Sequence, residues 1–470
     1  MKIPIVGSTY EMDARSFDVQ RCINLYPITT EVNDSKSVSA LRGTPGLSTF
    51  ATAGDGPHRG SITAQGRAFV ISGDGFYEVF SDGTTTLHGS LNTQTGTVGI
   101  DKNLTQIIVV DGSDGWIFTL SSDGWAQITD ADFPTCSQVS YQDGYFLTFE
   151  DGTQKFYISA INDGTSWGAL DFTSIEGSPD NLTAILSDSS NVWLGGTESM
   201  QVYQNTGNAN FPFEKIPGAF IPTGVASGDT LENFDNTVIW LGTDKNGRGV
   251  VWKANGYSAQ RVSTQAIESK INSSEDFTES YAWVYHQQGH IFYCLQVKGL
   301  KTTLVYDGST GMWHERAYKN VNTNEFEQHR GACHFFFAQK NLVGDRESGK
   351  IYELSLDVYS DDGDEIIRQR ICPHLQDEKR LVSHSSLELD MEVGVGLTSG
   401  QGSNPQIVLQ YSDDGGFTYG SELWRTIGAK GNYGTRVVWR QLGVARDRVY
   451  KITISDPVFV QINEAYLNAT

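Results

Sequence analysis

Positive charge is scarce in this 470-residue chain: 34 Lys and Arg stand against 56 Asp and Glu, a formal net charge of −22. Holding nucleic acid tightly requires cations that displace counterions from phosphate, so this balance excludes a protein built to grip DNA or RNA. It permits an acidic wall along which a duplex slides without sticking; the same charge also serves solubility. Cysteine is sparse as well. Cys22, Cys136, Cys294, Cys333 and Cys372 are odd in number, widely spaced and never arranged as C-x-x-C. That excludes a disulfide framework or a structural zinc site and predicts buried, reduced thiols. No apolar run of about 18 residues occurs, and the opening Met1-Lys-Ile-Pro-Ile-Val-Gly7 lacks the regions of a signal peptide, so a soluble chain made in a cytoplasm is expected. Helical periodicity is almost missing; Ser263-Thr-Gln-Ala-Ile-Glu-Ser-Lys-Ile271 is the best short candidate.

What is abundant is turn chemistry between β-runs. Glycine numbers 50, aromatics make up 11%, and Asp-Gly recurs at Asp74-Gly75, Asp114-Gly115, Asp143-Gly144, Asp307-Gly308 and elsewhere. Compare Gly66-Arg-Ala-Phe-Val-Ile-Ser-Gly-Asp-Gly-Phe-Tyr-Glu-Val-Phe80 with Leu104-Thr-Gln-Ile-Ile-Val-Val-Asp-Gly-Ser-Asp-Gly-Trp-Ile-Phe118. Such units repeat from residue 46 to 372 with a period of about 45, which predicts a β-propeller of about seven blades. Closure follows because each blade buries its faces only against its neighbours. Residues 1–45 lack the pattern and are expected to give a ring-closing strand or an arm. The charged stretch Asp361-Asp-Gly-Asp-Glu365 to Arg380 reads as a connector. Residues 373–470, with Leu387-Glu-Leu-Asp-Met-Glu-Val393 and Val449-Tyr-Lys-Ile-Thr-Ile454, read as a C-terminal β-sandwich. The expected fold is all-β.

Candidate chemistry is thin. Ser412-Asp-Asp-Gly-Gly-Phe-Thr-Tyr419 fits the Asp-box pattern S-x-D-x-G-x-T-[WY], and Ala160-Ile-Asn-Asp-Gly-Thr-Ser-Trp167 is a degenerate copy. The box caps hairpins in sialidase-like propellers and sits away from their active sites. Glycan cleavage would need three converging arginines, and none between residues 46 and 372 lies in a context that recommends it. His286 and His290 flank a hairpin glycine and lack the Glu of a metalloprotease helix. The acids at Asp357, Asp361, Asp362, Asp364 and Glu365 do not keep Ca²⁺-loop spacing, and Gly394-Val-Gly-Leu-Thr-Ser-Gly400 lacks the Lys of a phosphate loop. No catalytic, cofactor-binding or metal residue is predicted. There remains a basic stripe: from Trp424 to Lys451 seven Arg or Lys stand against one acid, Asp447. Alternation would put Arg436 and Arg440 on one strand face, with Arg446 and Arg448 projecting together. Pairing with carboxylates of the same domain would explain them. So would a docking surface, with Arg425, Arg436, Arg440, Arg446 and Arg448 meeting an acidic partner or the acidic blades of a neighbouring copy.

Asn24-Leu-Tyr-Pro27 and Leu41-Arg-Gly-Thr-Pro-Gly-Leu47 resemble the opening of the tail-hub, or packaged-DNA stabilisation, proteins of short-tailed bacteriophages. Ala266-Ile-Glu268, Leu304-Val-Tyr-Asp-Gly-Ser-Thr-Gly-Met-Trp313 and Arg436-Val-Val-Trp-Arg-Gln-Leu-Gly443 continue the likeness. The resemblance implies a non-enzymatic structural protein of the virion tail. It further implies a hexameric ring under the portal and its adaptor, closing the channel after packaging and giving tailspikes or fibres and a plug their attachment sites. No sequence-specific nucleic-acid binding and no membrane span are expected. The alternative is a carbohydrate-binding or sialidase-like glycan-cleaving propeller.

Overall fold

The computed structural model describes residues 1–30, 37–175 and 180–469. From residue 58 to 319 the chain winds into six sheets, each of four strands consecutive in sequence, spanning 58–90, 99–127, 139–174, 182–221, 232–261 and 281–319. Middle strands such as Gln106–Val110 and Gly115–Thr119 are continuous apolar runs because neighbouring sheets cover both their faces. Each core cluster is shared between neighbours: Phe69 and Phe76 of the first sheet pack with Ile107 and Phe118 of the second, and Trp193 of the fourth packs with Trp240 of the fifth.

The ring closes differently. Gly331–Phe337, Lys340–Asp345 and Lys350–Ser355 supply three strands, and Gly46–Thr52 pairs antiparallel with the last of them. The expectation of about seven blades is thus corrected to six, with a composite sheet as the clasp. Gly46 is required where this strand threads past residues 358–360, since a Cβ there would lie 2.5 Å from the Val358 carbonyl oxygen. The innermost strands of all the sheets line one axial cavity of about 320 Å³.

The second body is a sandwich of two sheets. One orders Leu25–Thr29, Ser39–Gly43, Gln461–Ala469, Val382–Met391 and Val437–Arg440; the other orders Val19–Ile23, Arg368–Ile371, Asp447–Ile454, Gln406–Ser412 and Leu423–Thr426. Leu25, Leu41, Leu387, Trp439, Tyr450 and Ile462 fill the core between them. The N-terminal segment therefore belongs to the sandwich: Lys2 pairs with Tyr466 and Leu41 with Ile462, while the ring-closing strand lies just beyond it. Partners more than 400 residues apart leave no local pattern to read. The expected connector is also structured. Ser360–Asp361 runs beside Gly46–Thr52, and Arg368–Ile371 is a central sandwich strand. The short helix forms at Gln265–Asn272, its N-terminus capped by the Thr264 hydroxyl. No helix among the described residues is long and apolar enough to cross a membrane. All five cysteines are unbonded; four are buried and Cys333 is partly so.

Candidate assembly surfaces

Leu423–Thr426 and Val437–Arg440 each end one sheet of the sandwich and lie side by side, with Arg425 Nε donating to the Val438 carbonyl at 2.9 Å. Alternation buries Val437 and Trp439 and turns Arg436 and Arg440 outward. Arg436 forks onto Glu388 at 2.9 and 2.7 Å yet stays 67% exposed, and it holds the Glu388 carboxyl below its usual range. Arg440 is exposed, and no carboxylate pairs with it among the described residues. Arg446 is exposed and donates to the Lys379 carbonyl at 2.8 Å. Trp424 (52% exposed), next to Arg425 in the chain, and Tyr433 (74%) are large rings left in water. Arg448 departs from the expectation: it is 1% exposed, bidentate to Asp413 at 2.6 and 2.7 Å, and its guanidinium lies 4.1 Å from the Tyr411 ring centre. It points into the sandwich because it lies on the strand Asp447–Ile454, whereas Arg446 precedes that strand, so the two do not project together. The cationic edge comprises Arg425, Arg436, Arg440 and Arg446.

A second set of residues joins the two bodies. Asn24 takes a left-handed backbone (φ 52°), and its side chain bonds both the Ala317 N–H and C=O on the sixth blade and the Ile367 carbonyl leading into the sandwich. Beside it, buried Glu315 accepts from Arg21 at 2.6 and 3.1 Å, Lys270 at 2.9 Å and Thr302 at 2.7 Å. Burial alone would raise the Glu315 acid, but the Arg21 and Lys270 charges outweigh it and hold the group well below the usual carboxylate range. Both sequence islands at the N-terminus and the helix Gln265–Asn272 thus meet at this junction.

The other readings resolve in the same way. Asp414 accepts from the Ser412 and Thr418 hydroxyls and from the amides of Phe417 and Thr418, which lowers its acid, while Tyr419 packs against Val19, Ile371 and Val449. That is a capped hairpin. In the degenerate copy Asp163 takes the acid's place, accepting from Thr165, and Trp167 is buried. His290 bonds Asp307 at 2.8 Å, while His286, across the same hairpin turn, is exposed. No group of acids, His and Cys suited to a metal occurs among the described residues. The propeller's arginines are dispersed: Arg67 pairs with Glu78, Arg261 with Glu268, Arg330 with Asp364, and Arg59 donates to loop carbonyls. Local pattern did not reveal the axial acids Asp229 and Glu232, which become neighbours of the cavity only when the ring closes. Burial, and then the Asp229 charge, pushes the Glu232 acid up to about 8.

Two family profiles match the chain end to end: "Bacteriophage P22 Gp10, beta-propeller" over residues 1–359 and "Bacteriophage P22 Gp10, beta-sandwich" over residues 367–470. The chain belongs to the bacteriophage P22 Gp10 family. It is accordingly a virion structural tail protein, a β-propeller followed by a β-sandwich. In this member of the Gp10 family, the strands from Lys2–Ile3 to Ser39–Gly43 fall within the propeller profile by sequence but pair into the sandwich. No curated protein sequence matches the chain. Solved structures similar to it include the extracellular domain of the putative one component system BT4673 from B. thetaiotaomicron, at 12% identity and a TM-score of 0.46, covering 81% of this chain and 47% of that one. A related BT4673 structure is covered over 39% of its length, so the chain spans less than half of both. The β-propeller domain of Myceliophteria thermophila Cps50 is similar at 10% identity and a TM-score of 0.43, covering 66% and 99%.

Proposed function

We propose that this protein is a tail hub that works without catalysis. Copies assemble as a ring beneath the portal and its adaptor, close the channel after DNA packaging, and give tailspikes or fibres and a plug their attachment sites. The observation that carries this reading, beside membership of the family, is the exposed cationic edge of the sandwich, where Arg436 alone is paired with a carboxylate, on a chain of net charge −22. A patch of one sign on a body of the other favours a head-to-tail contact between copies, and such contacts generate a ring where the rotation between copies closes. The passage for DNA would lie between copies. At about 320 Å³ the axial cavity of one propeller is the size of a small-molecule pocket, far too small for a duplex whose major groove alone is about 12 Å wide. An acidic wall around the wider opening would let DNA pass without adhering. Replacing Arg436 and Arg440 together by Glu is expected to abolish ring assembly, read by native mass spectrometry, while circular dichroism stays that of the folded monomer. Unchanged assembly would refute the docking role. The alternative reading, sialidase-like cleavage, finds no support in the dispersed arginines.

A further inference from the structure

A cleft of about 940 Å³ opens on the circumference of the propeller, between the blades spanning 182–221 and 232–261. Its walls are the turn at Thr197 and Glu198, the link Pro222 to Gly224 between the blades, the turn from Thr243 to Gly247, and the outer hairpin carrying Trp252 and Tyr257. Neither the ring closure nor the junction with the sandwich uses it.

Three features of the cleft call for a ligand of mixed character. Phe220 (39% exposed) and Tyr257 (41%) are large rings left half in water on its walls. Trp252 Nε1 and Thr223 Oγ1 are shielded from solvent yet have no hydrogen-bond partner within the protein, a state that folding seldom leaves unless something else completes the bond. Glu198 and Lys245 are exposed at the rim and enter no ion pair among the described residues, whereas the Asp244 carboxylate is spent on its own turn, accepting from the amides of Asn246 and Arg248.

We propose that this cleft binds a neutral oligosaccharide. A sugar presents an apolar C–H face that packs on aromatic rings, together with hydroxyls that both donate and accept. Trp252 Nε1 would donate to one such hydroxyl, Thr223 Oγ1 would exchange a bond with another, and Glu198 would accept at the rim. Glu198 and Asp244 are balanced by Lys245 and by the Lys215 ammonium 5.3 Å from the Phe220 ring centre, so the walls carry no excess of cations that would select phosphates or acidic sugars. An apolar segment of a protein would leave the indole N–H and the hydroxyl still unpaired. The volume falls at the upper end of the range of about 300–1,000 Å³ for small-molecule sites, which suits more than a single sugar ring. The proposal goes beyond the hub role and does not depend on it.

The test is an array of neutral and acidic oligosaccharides probed with the intact protein, followed by calorimetric titration of the strongest hit. Wild type should bind neutral glycans. Trp252→Phe, which keeps an apolar ring but removes the donor, should weaken binding about tenfold, as should Tyr257→Ala. Thermal unfolding is measured alongside, and Thr223→Val, a change of hydroxyl for methyl, serves should either of those variants unfold early. Absence of neutral-glycan binding at millimolar concentration, selective binding of acidic glycans or of peptides, or equal binding by folded variants would each overturn the proposal.

Discussion

Arg440 and Arg448 belong to one basic run, yet one faces water and the other is stacked on Tyr411 and forked to Asp413. Arg448→Met is expected to destabilise the protein by about 2–3 kcal/mol in urea titration, less than the roughly 3–5 kcal/mol of a fully buried broken pair because Asp413 remains partly hydrated. Arg440→Ala should change stability by less than about 0.5 kcal/mol, since its side chain ends in solvent. Glu232 gives a pH signature of its own. Its acid is raised to about 8 in the folded chain, so between the unfolded value of about 4.3 and 8 the folded state keeps a proton that the unfolded state releases. The associated stability is fully present below that window and is lost as pH rises through it. Glu232→Gln should therefore raise the unfolding midpoint at pH 8 and leave it nearly unchanged at pH 4, measured by scanning calorimetry across pH. None of these distinctions was legible in the sequence. Spacing identified a cluster of cations, but which of them turns inward depends on where the strand Asp447–Ile454 begins, and the burial of Glu232 depends on a ring formed by distant strands.

Elements governed by local chemistry were legible. The Asp-Gly hairpins, the Asp-box cap and the Thr264-capped helix appear where turn and capping residues place them, because each is completed within a few residues. Elements completed across the chain were not. Gly46–Thr52 finds its partner about 300 residues away, and the strands Lys2–Ile3 and Ser39–Gly43 find theirs at the C-terminus. Two changes probe these distant closures. Gly46→Ala should cost about 1–3 kcal/mol, because its Cβ would collide with the Val358 carbonyl where the clasp is threaded. Glu315→Gln should cost about 3–5 kcal/mol by leaving Arg21 and Lys270 facing a buried neutral amide. Because the Glu315 acid is depressed, its contribution is present above about pH 4.3 and is lost as pH falls toward the folded-state value, so wild type and variant should converge in acid. Denaturant titrations at pH 7 and pH 3 read both effects.

At the scale of the whole molecule, propeller and sandwich are two faces of one block, tied by Asn24, by the Glu315 ion pairs and by a sheet that continues from the sixth blade into the sandwich. A block of this kind suits a component that bears load within an assembly: its interior is close-packed, its only axial cavity among those described is small, and its charge is divided between an acidic body and a basic edge. Salt should weaken contacts made by that edge, since exposed charge pairs are screened over about 8–10 Å at physiological ionic strength. Sedimentation at rising salt is expected to show assemblies dissociating to folded monomers. The most direct measurement is an electron-microscope reconstruction of the tail of the particle that carries this chain. A closed ring of its copies beneath the portal, with Arg425, Arg436 and Arg440 facing the acidic surface of a neighbour, is the predicted result; isolated copies at a fibre tip, or none in the particle, would contradict the account.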